Sequence, residues 1–140
     1  MTSDRFEAGT FLRVRAVGEL EPSRVVVSPR GDFTSYRLLL ARDGMGFSMT
    51  KTLVPAGGPY RWHYRHHLEA CFCISGHGEV RESETGRTMP IGPDCLYYMP
   101  GHEAHELTAF VPMTLLCVFN PPLVGPEVHR ADGSYEGSRP

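Results

Sequence analysis

The segment GGPYRWHYRHHLEACFCISG, residues 57–76, decides the fold prediction together with PDCLYYMPGHEAH, residues 93–105. The first segment places three histidines and a glutamate in a β-prone run, and the second adds a tyrosine pair and, after a Pro-Gly turn, a histidine. Because alternate side chains of a strand share a face, His63, His67 and Glu69 are expected on one face. A buried carboxylate needs a cation or a proton. The two segments therefore predict two halves of a metal site inside a small β-barrel.

The whole chain is typical of a single all-β domain. Its 140 residues include 15 glycines and 12 prolines, which are scattered rather than clustered. Turn residues separate about ten short apolar or alternating runs, spaced roughly 8–12 residues apart, which is typical of a sandwich or a small barrel. We expect a flexible N-terminal extension over residues 1–10, a barrel over 11–124, and a C-terminal tail over 125–140 that can cover the barrel mouth.

In two of these runs, the alternation of residue types predicts which side chains share a strand face. The segment Gly46 to Val54 alternates, so Met49 and its alternate neighbours are expected on one face, and Ser48, Thr50 and Thr52 on the other. The segment FLRVRAV, residues 11–17, alternates apolar and basic residues and predicts a half-exposed edge strand that could pair with a second copy.

Charge and cysteine content exclude several classes of protein. The net charge is −2 with no basic cluster, which argues against nucleic acid or an anionic membrane as a partner. No apolar run approaches the ~18 residues of a membrane span, and the N-terminus lacks a secretory signal pattern, so we expect a cytoplasmic protein. The four cysteines form no C-x-x-C pair. Cys71 and Cys73 share a strand face and are interpreted as buried, reduced thiols.

The spacing of the first segment resembles the first motif of the cupins, G-x5-H-x-H-x3-E-x6-G. Gly57, His63, Glu69 and Gly76 match it, and Arg65 stands where a second histidine is usual. The second cupin motif is met loosely by Pro100, Gly101 and His105. A set of His63, Glu69 and His105 would suit Fe(II) with open coordination positions.

Three longer runs resemble the ectoine synthases: RLLLARDGMGFS (37–48), HLEACFCISGHGEV (67–80) and CVFNPPLVGPEVH (117–129). The resemblance implies a jelly-roll-like cupin barrel, a homodimer and an iron-dependent cyclodehydratase. The implied reaction is a hydro-lyase step that closes N-γ-acetyl-L-2,4-diaminobutyrate to the cyclic amidine ectoine, a compatible solute made under osmotic stress.

The same resemblance implies the site residues. The metal ligands would be Glu69, Tyr97 and His105, with His63 as a possible additional ligand. The metal would be Fe(II), with zinc or another divalent ion as the alternative. The implied catalytic residues are Tyr64, Glu127 and His129. The implied substrate pocket contains Phe33, Ser35, Arg37, Thr50, Thr52, Tyr64, Phe119, Glu127 and His129.

The chain departs from the family at two pocket positions. Phe33 stands where the family usually has tryptophan, and Thr50 where it has asparagine or histidine. These departures leave open a cyclodehydratase acting on a different N-acyl diamino acid. Two further alternatives also stay open: an Fe(II) oxygenase using His63, Glu69 and His105, and a cupin that only binds a small ligand.

Overall fold

Ten β-strands and three short 3-10 turns make up the regular structure of the described residues. The computed structural model describes Asp4, residues 12–125 and Glu127. The 3-10 turns are Val17–Glu19, Pro22–Arg24 and Ala41–Asp43. Among the described residues, no helix has the length and apolar character needed to cross a membrane. The strands are β1 (Val25–Val27), β2 (Thr34–Leu39), β3 (Ser48–Val54), β4 (Gly57–Trp62), β5 (Leu68–Ser75), β6 (Gly78–Glu82), β7 (Thr88–Ile91), β8 (Leu96–Met99), β9 (His105–Ala109) and β10 (Met113–Asn120).

The strands form two antiparallel sheets, as expected for a jelly-roll-like cupin barrel. One sheet has the order β1-β2-β3-β10-β5-β8 and the other β4-β9-β6-β7. Their inner faces enclose the core, and burial alternates along the central strands β3 and β10. The all-β prediction is confirmed, and so is the prediction that Ser48, Thr50 and Thr52 share a face: that face is the buried one.

Strand register aligns one line of inward side chains across five strands of the larger sheet. Cys117 on β10 lies opposite Thr50 on β3 and opposite Cys71 on β5. Thr50 in turn lies opposite Arg37 on β2, and Cys71 opposite Tyr97 on β8. We call Arg37, Thr50, Cys117, Cys71 and Tyr97 the transverse row. Buried polar groups are therefore concentrated at one level of the barrel.

Apolar residues fill the end of the barrel at which β3 ends and β10 begins. Val54 and Met113 are cross-strand partners there, and both are about 1% exposed. Leu115 and Leu107 are completely buried beside them. This end supplies packing, so the polar side chains of the other end are free for a functional site.

The histidine-rich segment is interrupted, contrary to the sequence prediction. Strand β4 ends at Trp62 and β5 begins at Leu68, so residues 63–67 form a loop. The Nδ1 of His102 lies 2.8 Å from the carbonyl oxygen of Tyr64 and 3.0 Å from that of His67. Because a side chain satisfies these carbonyls, the loop does not need a strand partner. The predicted shared face therefore begins only at Glu69, and both Tyr64 and His67 are buried.

The predicted edge strand over residues 11–17 is also wrong for its described part. Only an isolated bridge forms, at Val14. Arg15 anchors the segment through its side chain, which donates to the carbonyl oxygen of Leu38 and forms ion pairs with Asp4 and Asp43. The segment is thus held by a charged side chain rather than by a backbone ladder.

Candidate metal centre and pocket

Three buried side chains converge at the polar end of the barrel. Glu69, Tyr97 and His105 are 5%, 8% and 2% exposed, respectively. The Nε2 of His105 lies 4.0 Å from the Oε1 of Glu69. These two atoms and the hydroxyl of Tyr97 are buried without a hydrogen-bond partner. Such atoms are rare in folded proteins, and a bound cation would satisfy all three.

The two sheets supply these groups from opposite sides. Tyr97 belongs to the transverse row, and Glu69 lies two residues before Cys71 on the same strand face. His105 opens β9 in the smaller sheet, and its ring centroid lies 5.8 Å from that of Tyr97. A site assembled from three strands of two packed sheets is held rigidly, which suits a metal centre.

Burial shifts the pKa of all three groups toward their neutral forms. It raises the pKa of Glu69 to about 8, although hydrogen bonds from the Cys71 and Cys117 thiols oppose this shift. It lowers the pKa of His105 to about 4, although the hydrogen bond with the Glu103 backbone opposes this. Burial and the nearby Cys71 and Glu69 raise the pKa of Tyr97 well above its ordinary value. At neutral pH the imidazole of His105 is therefore uncharged and able to ligate a metal, and a bound cation would displace the proton of the Glu69 carboxyl group.

His63 has a different environment. It is half-buried in the loop before β5, where its Nδ1 accepts a hydrogen bond of 3.4 Å from the Nε of Arg65. The buried atoms described above that lack a hydrogen-bond partner, and could therefore ligate a metal, belong to Glu69, Tyr97 and His105. The geometry thus favours Tyr97 over His63 beside the other two groups.

A narrow cavity adjoins Glu69. Four of the residues predicted to bind substrate line it, together with Glu69 and Cys117: Phe33, Thr52, Tyr64 and Phe119. The ring of Tyr64 packs edge-on against Phe119, with centroids 5.2 Å apart, and lies 5.9 Å from the ring of His105. The hydroxyls of Thr50 and Thr52 are 3.1 Å apart. The cavity thus has aromatic walls and hydroxyl groups next to Glu69, one of the candidate metal ligands.

Arg37 and Glu127 bind each other and the chain around residue 125. Arg37 is completely buried and donates hydrogen bonds to Ser35 and to the carbonyl oxygens of Gly125 and Glu127. The carboxylate of Glu127 accepts the N–H groups of Val124 and Gly125 and lies 3.5 Å from the guanidinium. Both side chains therefore order the segment that follows β10. His129 and most of the predicted tail lie outside the described residues.

Comparison with known proteins identifies the family. The sequence matches the model of the family described as Ectoine synthase over residues 12–139. It is 48% identical over 123 residues to an L-ectoine synthase of Marinomonas sp. (strain MWYL1), covering 87% of this chain and 95% of that protein. The chain belongs to the ectoine synthase family.

Solved structures agree with this assignment. The crystal structure of ectoine synthase from P. lautus superimposes with a TM-score of 0.73 at 41% identity and covers 79% of each chain. An RmlC-like cupin from Shewanella frigidimarina NCIMB 400 gives a TM-score of 0.54 at 16% identity, covering 65% of this chain and 78% of that one. The second match shows the fold alone, which is a cupin fold.

Two site residues of this ectoine synthase family member were not predicted from the sequence. Cys71 was interpreted as an ordinary buried thiol and Cys117 was given no role, yet both lie in the transverse row, and their sulfurs are 3.0 Å apart next to Glu69. They are 46 positions apart in the chain, and only the register of β5 against β10 brings them together. The signal available in the sequence was that Cys71 and Glu69 share a strand face.

Proposed function

We propose that this chain closes N-γ-acetyl-L-2,4-diaminobutyrate to ectoine with loss of water, and that it requires a divalent metal ion. Fe(II) is the proposed ion, with zinc or another divalent ion as the alternative. Membership of the ectoine synthase family supports the reaction. The observation that carries the metal requirement is that one buried oxygen or nitrogen atom on each of Glu69, Tyr97 and His105 has no hydrogen-bond partner.

The proposed ligands suit such an ion. One carboxylate, one phenol and one imidazole leave coordination positions open, and a divalent ion bound there would act as a Lewis acid toward a carbonyl oxygen. The protein's own contribution is to hold the substrate folded, so that its α-amine lies against the acetamide carbon. The α-amine nitrogen forms a new C–N bond to the acetamide carbon, and the bonds from that carbon to its oxygen break. The oxygen leaves as water with two protons given up by the two nitrogens, and a C=N bond remains in the ring.

We propose Tyr64 as the residue that donates a proton in this reaction. It is 4% exposed, lines the cavity and packs beside His105 and Phe119. Its hydroxyl group could protonate the departing oxygen. Phe119 and Phe33, which are 2% and 3% exposed, would exclude competing water. His129 stays an alternative proton donor predicted from the sequence alone.

Arg37 and Glu127 are proposed to shape the pocket through the segment they hold. Direct binding of a substrate carboxylate by Arg37, or of its ammonium group by Glu127, stays a prediction. In the described structure, hydrogen-bonding atoms of both side chains already contact the chain at residues 124–127. Substrate binding by either residue would have to compete with these contacts.

Turnover of the acetylated diaminobutyrate by metal-free and Fe(II)-loaded protein tests the proposal. Under anaerobic conditions, we expect ectoine to form only with the loaded protein, detected by NMR. Absence of product would remove the proposed substrate. Substrate-dependent oxygen uptake would instead favour an Fe(II) oxygenase. The variant Glu69→Ala removes a proposed metal ligand, and unchanged ligand binding in this variant would favour a cupin that only binds a small ligand.

A second candidate keeps the chemistry but changes the substrate. Phe33 lines the cavity, and the hydroxyl of Thr50 lies 3.1 Å from that of Thr52, which also lines it. A different N-acyl diamino acid would then be preferred. In a competition assay between acyl-chain homologues, Phe33→Trp is expected to shift preference toward the acetyl compound, because the larger ring reduces the space beside Thr52. An unchanged preference ratio would count against this candidate.

We further propose a cytoplasmic homodimer. All four cysteines are free thiols, which fits a reducing compartment. The outer face of β5 and β8 exposes Leu68, Phe72, Ile74, Leu96 and Tyr98, at 38–63% exposed. Adjacent exposed apolar side chains on paired strands are a common feature of subunit interfaces. This surface replaces the region near Val14 as the proposed site of pairing.

A further inference from the structure

Cys71 and Cys117 have no role in the proposed reaction, yet they occupy the centre of the transverse row. They are direct cross-strand partners on β5 and β10, 0% and 4% exposed, with their sulfurs 3.0 Å apart. One carboxylate oxygen of Glu69 and the two sulfurs all lie within 4.8 Å of one another. The Oε1 of Glu69 is buried without a hydrogen-bond partner. A carboxylate and two thiols thus converge at one point inside the barrel.

This donor set differs in chemistry from the set formed by Glu69, Tyr97 and His105. Thiolates select soft or borderline cations such as Zn²⁺, Cd²⁺ and Cu⁺, whereas carboxylate and phenolate oxygens suit harder ions. In a tetrahedral site with Zn–S bonds of about 2.3 Å, two sulfurs are separated by roughly 3.8 Å. The present sulfur–sulfur distance of 3.0 Å therefore has to widen by less than one ångström.

We propose that Glu69, Cys71 and Cys117 form a second binding site for a thiophilic divalent cation, and that this site shares Glu69 with the proposed iron site. Binding displaces one proton from each thiol, so two protons leave as two metal–sulfur bonds form. A cation held there takes the Glu69 carboxylate away from Tyr97 and His105. Cd²⁺ bound there would then exclude the ion of the neighbouring set instead of substituting for it. The inference rests on the proposed function only through the sharing of Glu69.

Cadmium titration of the metal-free protein, kept reduced with a phosphine, tests this proposal without any turnover. We expect one equivalent of Cd²⁺ per chain to produce a thiolate-to-cadmium charge-transfer band. We also expect a ¹¹³Cd NMR shift characteristic of two sulfur donors. Cys71→Val should abolish the band and weaken Cd²⁺ binding at least tenfold. Binding of Mn²⁺, a hard cation measured by its EPR signal, should remain unchanged in that variant, which also shows that the barrel still folds.

Cys95→Ser is the matched control, because Cys95 is half-buried and lies outside the cluster. It should retain both the band and the affinity. A band that survives in Cys71→Val, or that disappears in Cys95→Ser, would overturn the proposal. So would a wild-type ¹¹³Cd shift typical of nitrogen and oxygen donors alone, a result that does not depend on any variant folding. If the protein formed no ectoine but still gave the charge-transfer band and the ¹¹³Cd shift of two sulfur donors, the proposed function would be refuted and the second cation site would still be supported.

Discussion

At the scale of single residues, Glu69 links the proposed metal binding to pH. In the metal-free protein its carboxyl group stays protonated up to about pH 8, because burial penalises the charged form. The unfolded chain ionises this group near its ordinary pKa of 4.5. Between these values the unfolded state has lost the proton and the folded state has not. The contribution of Glu69 to the free energy of unfolding therefore falls as pH rises across this window, whereas the lowered pKa of His105 acts in the opposite direction between about pH 4 and its ordinary value of 6.5.

Glu69→Gln is expected to remove this dependence. From pH 5 to pH 8 the metal-free wild-type protein should lose up to about 1.4 kcal/mol of unfolding free energy per pH unit through Glu69, and the variant should lack that component. Urea denaturation at several pH values measures the difference. The variant should also fail to retain Fe(II), which elemental analysis of the purified protein will report.

Tyr97→Phe separates the two expected effects of Glu69→Gln, which are the loss of metal retention and the loss of the pH dependence of stability. It removes one proposed metal ligand but leaves the carboxyl group buried, so we expect weaker metal retention with the pH dependence preserved. If Glu69→Gln and the wild type showed the same slope of stability against pH, Glu69 would already be ionised in the folded metal-free protein.

At the scale of structural elements, the carboxylate of Asp43 ties Arg15 and Arg24 to the turn between β2 and β3. It receives two hydrogen bonds from Arg24, two from Arg15, and the backbone N–H of Leu40 at 2.8 Å. Partial burial opposes ionisation, but the hydrogen bonds from Arg24, Arg15 and Leu40 outweigh it and lower the pKa of Asp43 to about 2. The aspartate of the DGMGFS run is thus explained by structure rather than by catalysis.

Asp43→Asn should destabilise the fold by about 2–3 kcal/mol, because two arginines, one of them buried, each lose one of their two charged partners. The stabilisation from Asp43 is complete above pH 4 and is lost as pH falls toward 2, since its folded pKa lies below its ordinary value of 3.8. The free energy of unfolding of the variant should therefore lack the part of the decrease between pH 4 and pH 2 that comes from protonation of Asp43. Glu84→Gln, at an exposed position, is the control and should match the wild type.

Gly78 fixes how closely β6 packs against β9. A Cβ atom at this position would lie 2.0 Å from the carbonyl oxygen of Thr108, which is a backbone atom and cannot rotate away. Gly78→Ala should therefore cost about 1–3 kcal/mol of unfolding free energy, measured by denaturant titration. Gly18→Ala is the control, since a Cβ atom there would have no atom within 4 Å and stability should change little. Equal stability of the two variants would contradict the packing argument.

Local patterns predicted the strands and their faces well, because alternation and turn residues are encoded within a few positions. Strands β3, β5 and β10 alternate as expected, and Glu69 is buried as the metal prediction required. The break at residues 63–67 depends on hydrogen bonds from His102, which is distant in sequence. The pairing of Cys71 with Cys117 depends on strand register. Non-local contacts of this kind leave no signal in the pattern of either segment alone.

At the scale of the whole molecule, the exposed outer face of β5 and β8 predicts the oligomeric state. Leu96 on β8 is the cross-strand partner of Phe72 on β5, and both side chains point away from the barrel. Since β8 is an edge of the larger sheet, a second copy can cover this face with little rearrangement. Light scattering should report twice the chain mass of 15.6 kDa.

A charge placed on this face should separate the subunits. Leu96→Glu puts a carboxylate on a side chain that is 56% exposed in the single chain, so the monomer should still fold but pairing would require burying the charge. Val27→Glu is the matched control, because Val27 is 67% exposed but lies on β1, at the opposite edge of the same sheet. Sedimentation velocity should show a monomer for the first variant and a dimer for the second. A dimeric Leu96→Glu protein would place the pairing surface elsewhere, and a wild type that sediments as a monomer would remove it. Neither result would affect the proposed metal centre, whose three proposed ligands belong to one chain.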